Sequence, residues 1–317
     1  MPSVQRYTPD HKKVWDGFVN SAKNATFLFR RDYMDYHAER FADHSLMVER
    51  GGRLVALLPA NREGEVLYSH GGLSYGGLIV DQEMTTPLML EVFAAVATQA
   101  REAGLEALCY KTVPTIYHRL PAEEDRYALF RTGARLFRRD VLSVLDPAAR
   151  GPCQKRRRRA AAKAAKSGLD VIEEAGLDEF WTVLEALLQE RHGAKPVHSL
   201  DEMAMLKTRF PEEIRLFTAR HGSGGIEAGV LIYESLRVAH VQYMATTAAG
   251  RANGALDLVL GQLLDEVFSA KPWFDFGVSN EDQGQVLNQG LIDFKEGFGA
   301  RAVSHDFYRL DLAAGLA

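Results

Sequence analysis

RVAHVQYMATTAAGRANGALDLVLGQLLDEVFSA, Arg237 to Ala270, is the stretch on which the reading of this chain turns. It opens on a strand pattern, RVAHVQYMATT, and crosses a small-residue turn, AAGRANGA. It then enters a run that places Leu256, Val259, Leu260, Leu263, Leu264, Val267 and Phe268 at helical spacing, a continuous apolar stripe. Beyond it come a short strand FDFG, a polar loop VSNEDQGQ and a short helix LNQGLIDFKEGFGA ending at Ala300. A glycine-bearing turn at a helix start leaves free backbone N–H groups, which suit a phosphate or pyrophosphate.

Working outward, the second half supplies a strand LDVIEE, helices LDEFWTVLEALLQERH and SLDEMAMLKTRF, and strands IRLFTARH and IEAGVLIYE before the central stretch. A last strand, AVSHDFYRLDL, follows it. The first half has the same order. Thr8 and Pro9 mark the start of a helix, RRDYMDYHAERF reads as a second, and SLMVER, RLVALLPA and EVLYS read as strands joined by Gly51-Gly52 and NREG. A helix from Thr86 to Ala103 ends at Gly104, and a strand ALCYKTV, a helix near AEEDRYALF and a strand ARLFRRDVLSVLD complete it. Asp146 to Pro152, DPAARGP, is a turn-rich break. The expectation is therefore two duplicated α/β (α+β) domains, residues 1–150 and 151–317, each a mixed, mostly antiparallel sheet flanked by helices.

With 317 residues, each half is long enough to bury its own core. A net charge of −4 argues against a chain-wide DNA-binding surface, so any basic role is local. The only cysteines, Cys109 and Cys153, are too few for a disulfide framework and lack metal-ligand spacing, so no metal site is expected. No N-terminal apolar segment or membrane-length run stands out, which leads to the expectation of a cytoplasmic protein, peripheral at the inner membrane face as an option.

The element order resembles the GNAT acyltransferase fold, and two copies in tandem resemble the FemABX-like acyltransferases. The residues that carry the resemblance are KRRRRAAAKAAKSGLDV, HVQYMATTAAGRANGALDLVL, FDFGVS and LIDFKEGFGARAV, which cover most of the second half. They look like that family's basic helix, strand-turn-helix core, D-F-G strand end and F-K-x-x-F-G element. The first half fits by order and by its SHGGLSYGG segment. The resemblance implies transfer of an acyl or aminoacyl group to an amine by direct attack, with no permanently bound cofactor and acyl-CoA, or alternatively aminoacyl-tRNA, as co-substrate. Such chemistry needs a deprotonated amine, a stabilised oxyanion and positioning, and no side-chain nucleophile. The chain carries no G-x-S-x-G elbow, H-E-x-x-H or Walker loop.

By the same resemblance Phe294 and Lys295 sit at the reacting centre. The alternative for Lys295 is a solvated helix lysine. Arg251 and Gly254 resemble the GNAT pyrophosphate loop, although Leu256 replaces its final small residue; the plain alternative is a strand–helix connection. Arg156, Arg159, Lys163 and Lys166 share one helical face and suit the phosphates of a tRNA, a nucleotide sugar or a polyprenyl diphosphate, or else form a solvated linker helix. Asp275 ends a strand beside the reacting region and reads either as a proton acceptor or as a loop anchor.

Glycines around His70 and Tyr75 permit close approach of a ligand, although a buried histidine satisfied by backbone is the commoner outcome. His240 and Tyr243 are three apart on a strand, which places them on opposite faces so that one at most meets the cleft. His198 reads as a helix-cap neighbour or an acceptor-site base, and Asn280 and Asn288 as polar cleft residues. The leading expectation is an acyl-CoA-dependent N-acyltransferase acting on an amino sugar or related lipid- or nucleotide-linked cell-envelope precursor. An aminoacyl-tRNA-dependent transferase on a peptidoglycan precursor is the second reading. A non-enzymatic protein binding a partner through the basic helix is the third. The absence of a heptad hairpin tilts the choice away from tRNA.

Overall fold

A computed structural model describes residues 1–312. The chain runs β1 (Ser3–Arg6), α1 (Lys12–Ser21), α2 (Arg31–Met34), β2 (Leu46–Arg50), β3 (Arg53–Leu58), β4 (Asn61–Glu63), β5 (Val66–Tyr68) and β6 (Ile79–Val80). It continues through α3 (Thr86–Glu102), β7 (Ala107–Lys111), α4 (Glu124–Arg131), β8 (Arg135–Leu145), α5 (Lys155–Lys166), β9 (Asp170–Glu174), α6 (Asp178–His192) and α7 (Leu200–Arg209). The remainder is β10 (Ile214–Arg220), β11 (Ile226–Glu234), β12 (Val238–Thr246), α8 (Ala248–Asn253), α9 (Ala255–Gln262), β13 (Trp273–Val278), β14 (Asn280–Glu281), β15 (Val286–Leu287), α10 (Gln289–Glu296) and β16 (Arg301–Asp311). Two compact units result. One holds residues 1–140, 282–285 and 304 onward; the other holds 141–281 and 286–303. They interleave in sequence, where the sequence reading has the contiguous segments 1–150 and 151–317.

In the first unit, β1, β2, β3 and β6 form one antiparallel sheet. Gly51 and Gly52, both at positive φ (60° and 75°), make the two-residue hairpin between β2 and β3. Beside that sheet β4 pairs with β5, β5 runs parallel to β7, and β7 pairs antiparallel with β16. Helix α3 starts at Thr85, whose hydroxyl accepts from Leu88 N–H, and ends before Gly104 at φ 72°. It buries Val92, Phe93 and Val96 against Val48, Ala56, Leu108 and Leu310. Each such aliphatic or aromatic side chain contributes about 1.5–3 kcal/mol. The expected second helix, RRDYMDYHAERF, is only the single turn of α2 followed by a tighter 3₁₀ turn.

In the second unit, β9, β10, β11 and β12 are consecutive antiparallel neighbours, β12 runs parallel to β13, and β13 pairs antiparallel with β8. Helices α5 and α9 cover one face, burying Ala164, Val259, Leu260 and Leu263 against Val230, Val241, Phe274 and Phe276. Helix α6 packs on β11 and β12, with Phe180, Trp181 and Leu184 buried. Helix α7 begins with a capping box, Ser199 with Glu202. The long helix read from Leu256 to Phe268 is α9 followed by a wider π turn over Leu263–Val267. No helix among the described residues is long and apolar enough to cross a membrane.

Candidate acyl-transfer site

The candidate site lies at the fork where two parallel strands part. β12 and β13 are paired only from Val238 opposite Trp273 to His240 opposite Asp275, and beyond that pair the ladder stops. Both strands are irregular at this level. On β12, Val241 pairs with Ile232 and Tyr243 with Leu231, so Gln242 is an extra residue without a partner. On β13, Asp275 pairs with Val144 and Val278 with Leu142, and Gly277 takes up the extra residue at φ 74°. Asp275 Oδ1 accepts from the Gly277 N–H at 2.7 Å, closing this turn locally.

The bulge corrects the expectation for His240 and Tyr243. Ala239, Val241 and Met244 all meet the α9-side core, so face parity changes across Gln242. His240 and Tyr243 therefore share the other face. His240 Nδ1–H donates to Asp275 Oδ2 at 2.8 Å, and its ring lies close over Gly277, where an added Cβ would sit 3.3 Å from His240 Cε1. Burial alone would raise the Asp275 carboxyl, but His240, the Gly277 N–H and Lys295 outweigh it and hold the group below the usual carboxylate range. Facing an ionised Asp275, Nδ1 is the nitrogen that donates, which leaves Nε2 as the ring nitrogen not engaged by the carboxylate. Next along the face, Tyr243 Oη and His198 Nδ1 are 2.7 Å apart, and the Trp181 ring meets Tyr243 edge-on at 5.5 Å. Burial pushes the Tyr243 phenol up. The Trp181 indole N–H is buried without a partner.

Lys295 is not a solvated helix lysine. It is 2 % exposed in the last turn of α10, and its ammonium donates to Gly277 O at 3.0 Å and Val278 O at 2.6 Å. Burial lowers its pKa to about 8, with Asp275 opposing the shift. Phe294 stacks edge-on against Phe298 at 5.3 Å. Asn288 is the cap of α10, its Oδ1 accepting from Leu291 N–H at 3.0 Å and its amide donating to Glu281 at 2.6 Å. Asn280 Oδ1 accepts from the Val141 N–H at 2.6 Å. Both asparagines thus anchor chain around the fork. The sequence reading missed a buried hydroxyl pair, Ser143 and Ser279 at 2.9 Å; Ser279 stands in the VSNED loop, and nothing local singles it out.

The expected phosphate turn is not an open turn. Residues 248–253 form α8, capped by Thr247 Oγ1, which accepts from Gly250 N–H at 3.0 Å. The Arg251 N–H goes to Thr247 O and the Gly254 N–H to Gly250 O, both at 2.9 Å. These amides are engaged within the chain and form no free cradle. Gly254, at φ 86°, faces α5: an added Cβ would lie 2.6 Å from Ala160 O. The Arg251 guanidinium reaches Thr246 O and Glu190. On α5, Lys163 Nζ donates to Ala252 O at 2.8 Å and Arg156 to Asp293 O at 3.2 Å. Lys155, Arg158, Arg159 and Lys166 are exposed.

His70 and Tyr75 belong to the first unit. Their glycine-rich segment closes on its own chain: Cβ atoms at Gly72, Gly76 and Gly77 would strike His37 Nε2 at 2.4 Å, Ser69 O at 1.9 Å and Tyr110 Oη at 2.7 Å. Tyr75 Oη pairs with Thr26 Oγ1 at 2.7 Å. His70 sits at φ 66°, stacked on His37 with ring centroids 5.0 Å apart, and its Nδ1 is buried without a partner. Burial drives its pKa well below the usual value. The Lys111 amine donates to Leu73 O, and burial lowers its pKa to about 7.

The sequence profile of the acetyltransferase (GNAT) domain family matches residues 152–295, a span that runs from Pro152, just before α5, to Lys295. Residues 152–295 are a GNAT acetyltransferase domain. The fork, the bulge and the F-K element all lie within that span. Over the whole chain the fold is that of tandem GNAT proteins. A FemX crystal structure superposes with TM-score 0.67 at 12 % identity, covering 96 % of each chain. The C-terminal domain of a putative lysylphosphatidylglycerol synthetase from Agrobacterium fabrum gives TM-score 0.63 at 15 % identity, covering 96 % of this chain and 92 % of that one. A tandem GNAT protein from the clavulanic acid biosynthesis pathway gives 0.57 at 13 %, covering 98 % and 99 %. At these identities the likeness concerns the fold. No curated protein matches the chain in sequence.

Proposed function

We propose that this protein transfers an acyl group to an amine by direct attack at the fork of the GNAT domain, with His240 as the proton acceptor. The observation that carries this reading is the His240–Asp275 pair standing where β12 and β13 part. An acyl group entering between the strands meets His240 Nε2 on one face. The amine attacks the acyl carbonyl carbon, the C–N bond forms, and the ammonium proton passes to Nε2 while the thiolate or alkoxide leaves. Asp275 holds the imidazole in the accepting tautomer and stabilises the imidazolium that follows. The Tyr243–His198 pair on the same face supplies a hydroxyl within the site. Lys295 fixes the carbonyls of Gly277 and Val278, and with them the bulge that carries Asp275.

For the donor, the reading is an acyl-CoA thioester, with an amino sugar or related cell-envelope precursor as acceptor. A second reading, an aminoacyl ester carried by tRNA, is favoured by two observations. The amides of Gly250, Arg251 and Gly254 are already bonded within the chain, and α5 exposes Lys155, Arg158, Arg159 and Lys166. FemX and lysylphosphatidylglycerol synthetase are among the proteins that share this fold.

The test is a transfer assay of the intact chain on acetyl-CoA, longer acyl-CoAs and a mixed aminoacyl-tRNA pool, with amino-sugar and peptidoglycan-precursor acceptors, using His240→Gln as the comparison. Loss of a proton acceptor lowers turnover about 10²–10⁴-fold. A His240→Gln protein that turns over at the wild-type rate would falsify the assignment. Turnover only with charged tRNA selects the second reading.

A further inference from the structure

The start of α5 grips α10 from outside. The Gln154 N–H donates to Gly297 O at 2.8 Å, and Arg156 reaches Asp293 O at 3.2 Å. Between them Arg157 turns inward, unlike its neighbours in the run KRRRR. Its guanidinium carbon lies 4.6 Å from the centroid of Phe294 and 5.8 Å from that of Phe298. One terminal nitrogen donates to Asp257 Oδ1 at 2.9 Å, and the pair is largely buried. Gly297 leaves room for it: a Cβ there would stand 3.3 Å from Arg157 Nε. On its other side α10 is held by Lys295, whose ammonium is bonded to the two carbonyls at the end of β13. Helix α10 is thus clamped between a stacked guanidinium and the bulge that carries Asp275.

We infer that Arg157 is a positioning residue for the acyl-transfer site, acting through α10 to seat Lys295 on the carbonyls of Gly277 and Val278. The inference rests on the reading of the fork as the reacting centre. Its physical basis is the geometry of the guanidinium. A planar, delocalised cation can lie over the Phe294 ring while its edge serves a carboxylate, and a lysine in the same place keeps only the charge. Asp257 is anchored in the first turn of α9, so the stack transmits the position of the core to the F-K element. In the basic helix Arg157 faces inward as part of the scaffold, while Lys155, Arg158, Arg159 and Lys166 are exposed.

The proton affinity of Lys295 reports its seat directly. Burial and the Asp275 carboxylate set it; Arg157 is not among the charges that act on it. A change on altering Arg157 therefore reads movement of Lys295 and not a lost charge. The experiment is an NMR titration of lysine 13Cε signals in the full chain, with the Lys295 signal assigned by its disappearance in Lys295→Met. In the wild type that signal is expected to titrate at about 8, lowered by burial.

Arg157→Met is expected to move the titration upward by one unit or more, as water reaches the amine. Arg157→Lys, which keeps the charge on Asp257 without the stack, is expected to fall between the two. Lys207, half-buried in the same unit and bonded to Ile214 O, serves as the internal control and stays where it is. If both Arg157 variants titrate as wild type while their melting temperatures fall, Arg157 is a stability residue only and the inference is overturned. If Arg157→Met does not fold, the Lys variant decides alone. Turnover is measured in parallel. A Lys295→Met protein with full activity would sink the reading of the fork, while the titration still judges the clamp.

Discussion

Lys295 shows how much a single side chain owes to its surroundings. A free lysine titrates near 10.4, and burial brings this one to about 8. Between those values the unfolded chain binds a proton that the folded chain does not, so folding stability rises with pH across that window. Above it both states are neutral; below about 8 both are charged, and the cost of keeping the ammonium buried is fully present. A shift of this size corresponds to about 3 kcal/mol. In Lys295→Met that pH-dependent cost disappears, but Gly277 O and Val278 O lose their donor, a penalty of about 1–3 kcal/mol for each unsatisfied group. Urea unfolding of wild type and Lys295→Met at pH 7, 9 and 10.5 is therefore expected to show the wild type gaining on the variant by about 3 kcal/mol as pH rises. A constant difference across that range would mean that the amine titrates like an exposed one. Truncation to Ala, by contrast, removes packing as well as charge and is a poor test of catalysis.

At the scale of elements, the contact between α5 and α9 explains a glycine that looks functional in the sequence. Gly254 separates α8 from α9 in a left-handed conformation, and the backbone of Ala160 passes directly over it. The run of alanines in α5 is the other half of this approach, since Ala160 and Ala164 bring the helix backbone down onto α9. Gly254→Ala combines about 1–2 kcal/mol of left-handed backbone cost with a direct clash. We expect a fall in melting temperature of several degrees, measured by circular dichroism. Arg159→Ala, on the exposed face of α5, is expected to change stability by no more than about 0.5 kcal/mol. Equal melting temperatures for wild type and Gly254→Ala would show that α5 can shift away from α9. A stabilising role for the glycine would then be excluded.

For the molecule as a whole, the destination of the last strand matters most. β16 pairs with β7, Phe307 opposite Lys111 through Asp311 opposite Ala107, and Leu310 and Leu312 enter the core built on α3. Arg139 and Asp306 form a two-bonded ion pair at 2.6 and 2.9 Å within the same unit. The first unit is thus completed only by residues from the far end of the chain. Deleting residues from Ser304 onward is expected to expose the edge of β7 and to abolish hydrogen-exchange protection at the amides of Ala107–Lys111, although that strand is untouched in sequence. Retained protection there would show that β7 is stable without its neighbour.

Much of this architecture is legible locally. The Gly51-Gly52 hairpin, Gly104 at a helix end and the apolar stripe of α9 each depend on a few neighbouring residues, and each appears where the pattern puts it. The F-K and D-F-G elements are equally visible, because they are contiguous. What local pattern does not contain is parity and partnership. A strict alternation places His240 and Tyr243 on opposite faces; the bulge at Gln242 exists because β11 and β12 pair in one register below it and another above, and only the paired strands define that offset. Likewise Lys295, Arg157 and Gly254 carry no mark of burial in their own segments, since what covers them arrives from β13, α9 and α5. The sequence by itself determined the order of the elements and most helix and hairpin positions, because helical hydrogen bonding, turn chemistry and side-chain period are short-range. Only the tertiary structure decided which polar groups face the fork and which are built into the scaffold, because desolvation and strand offset depend on segments distant in the chain.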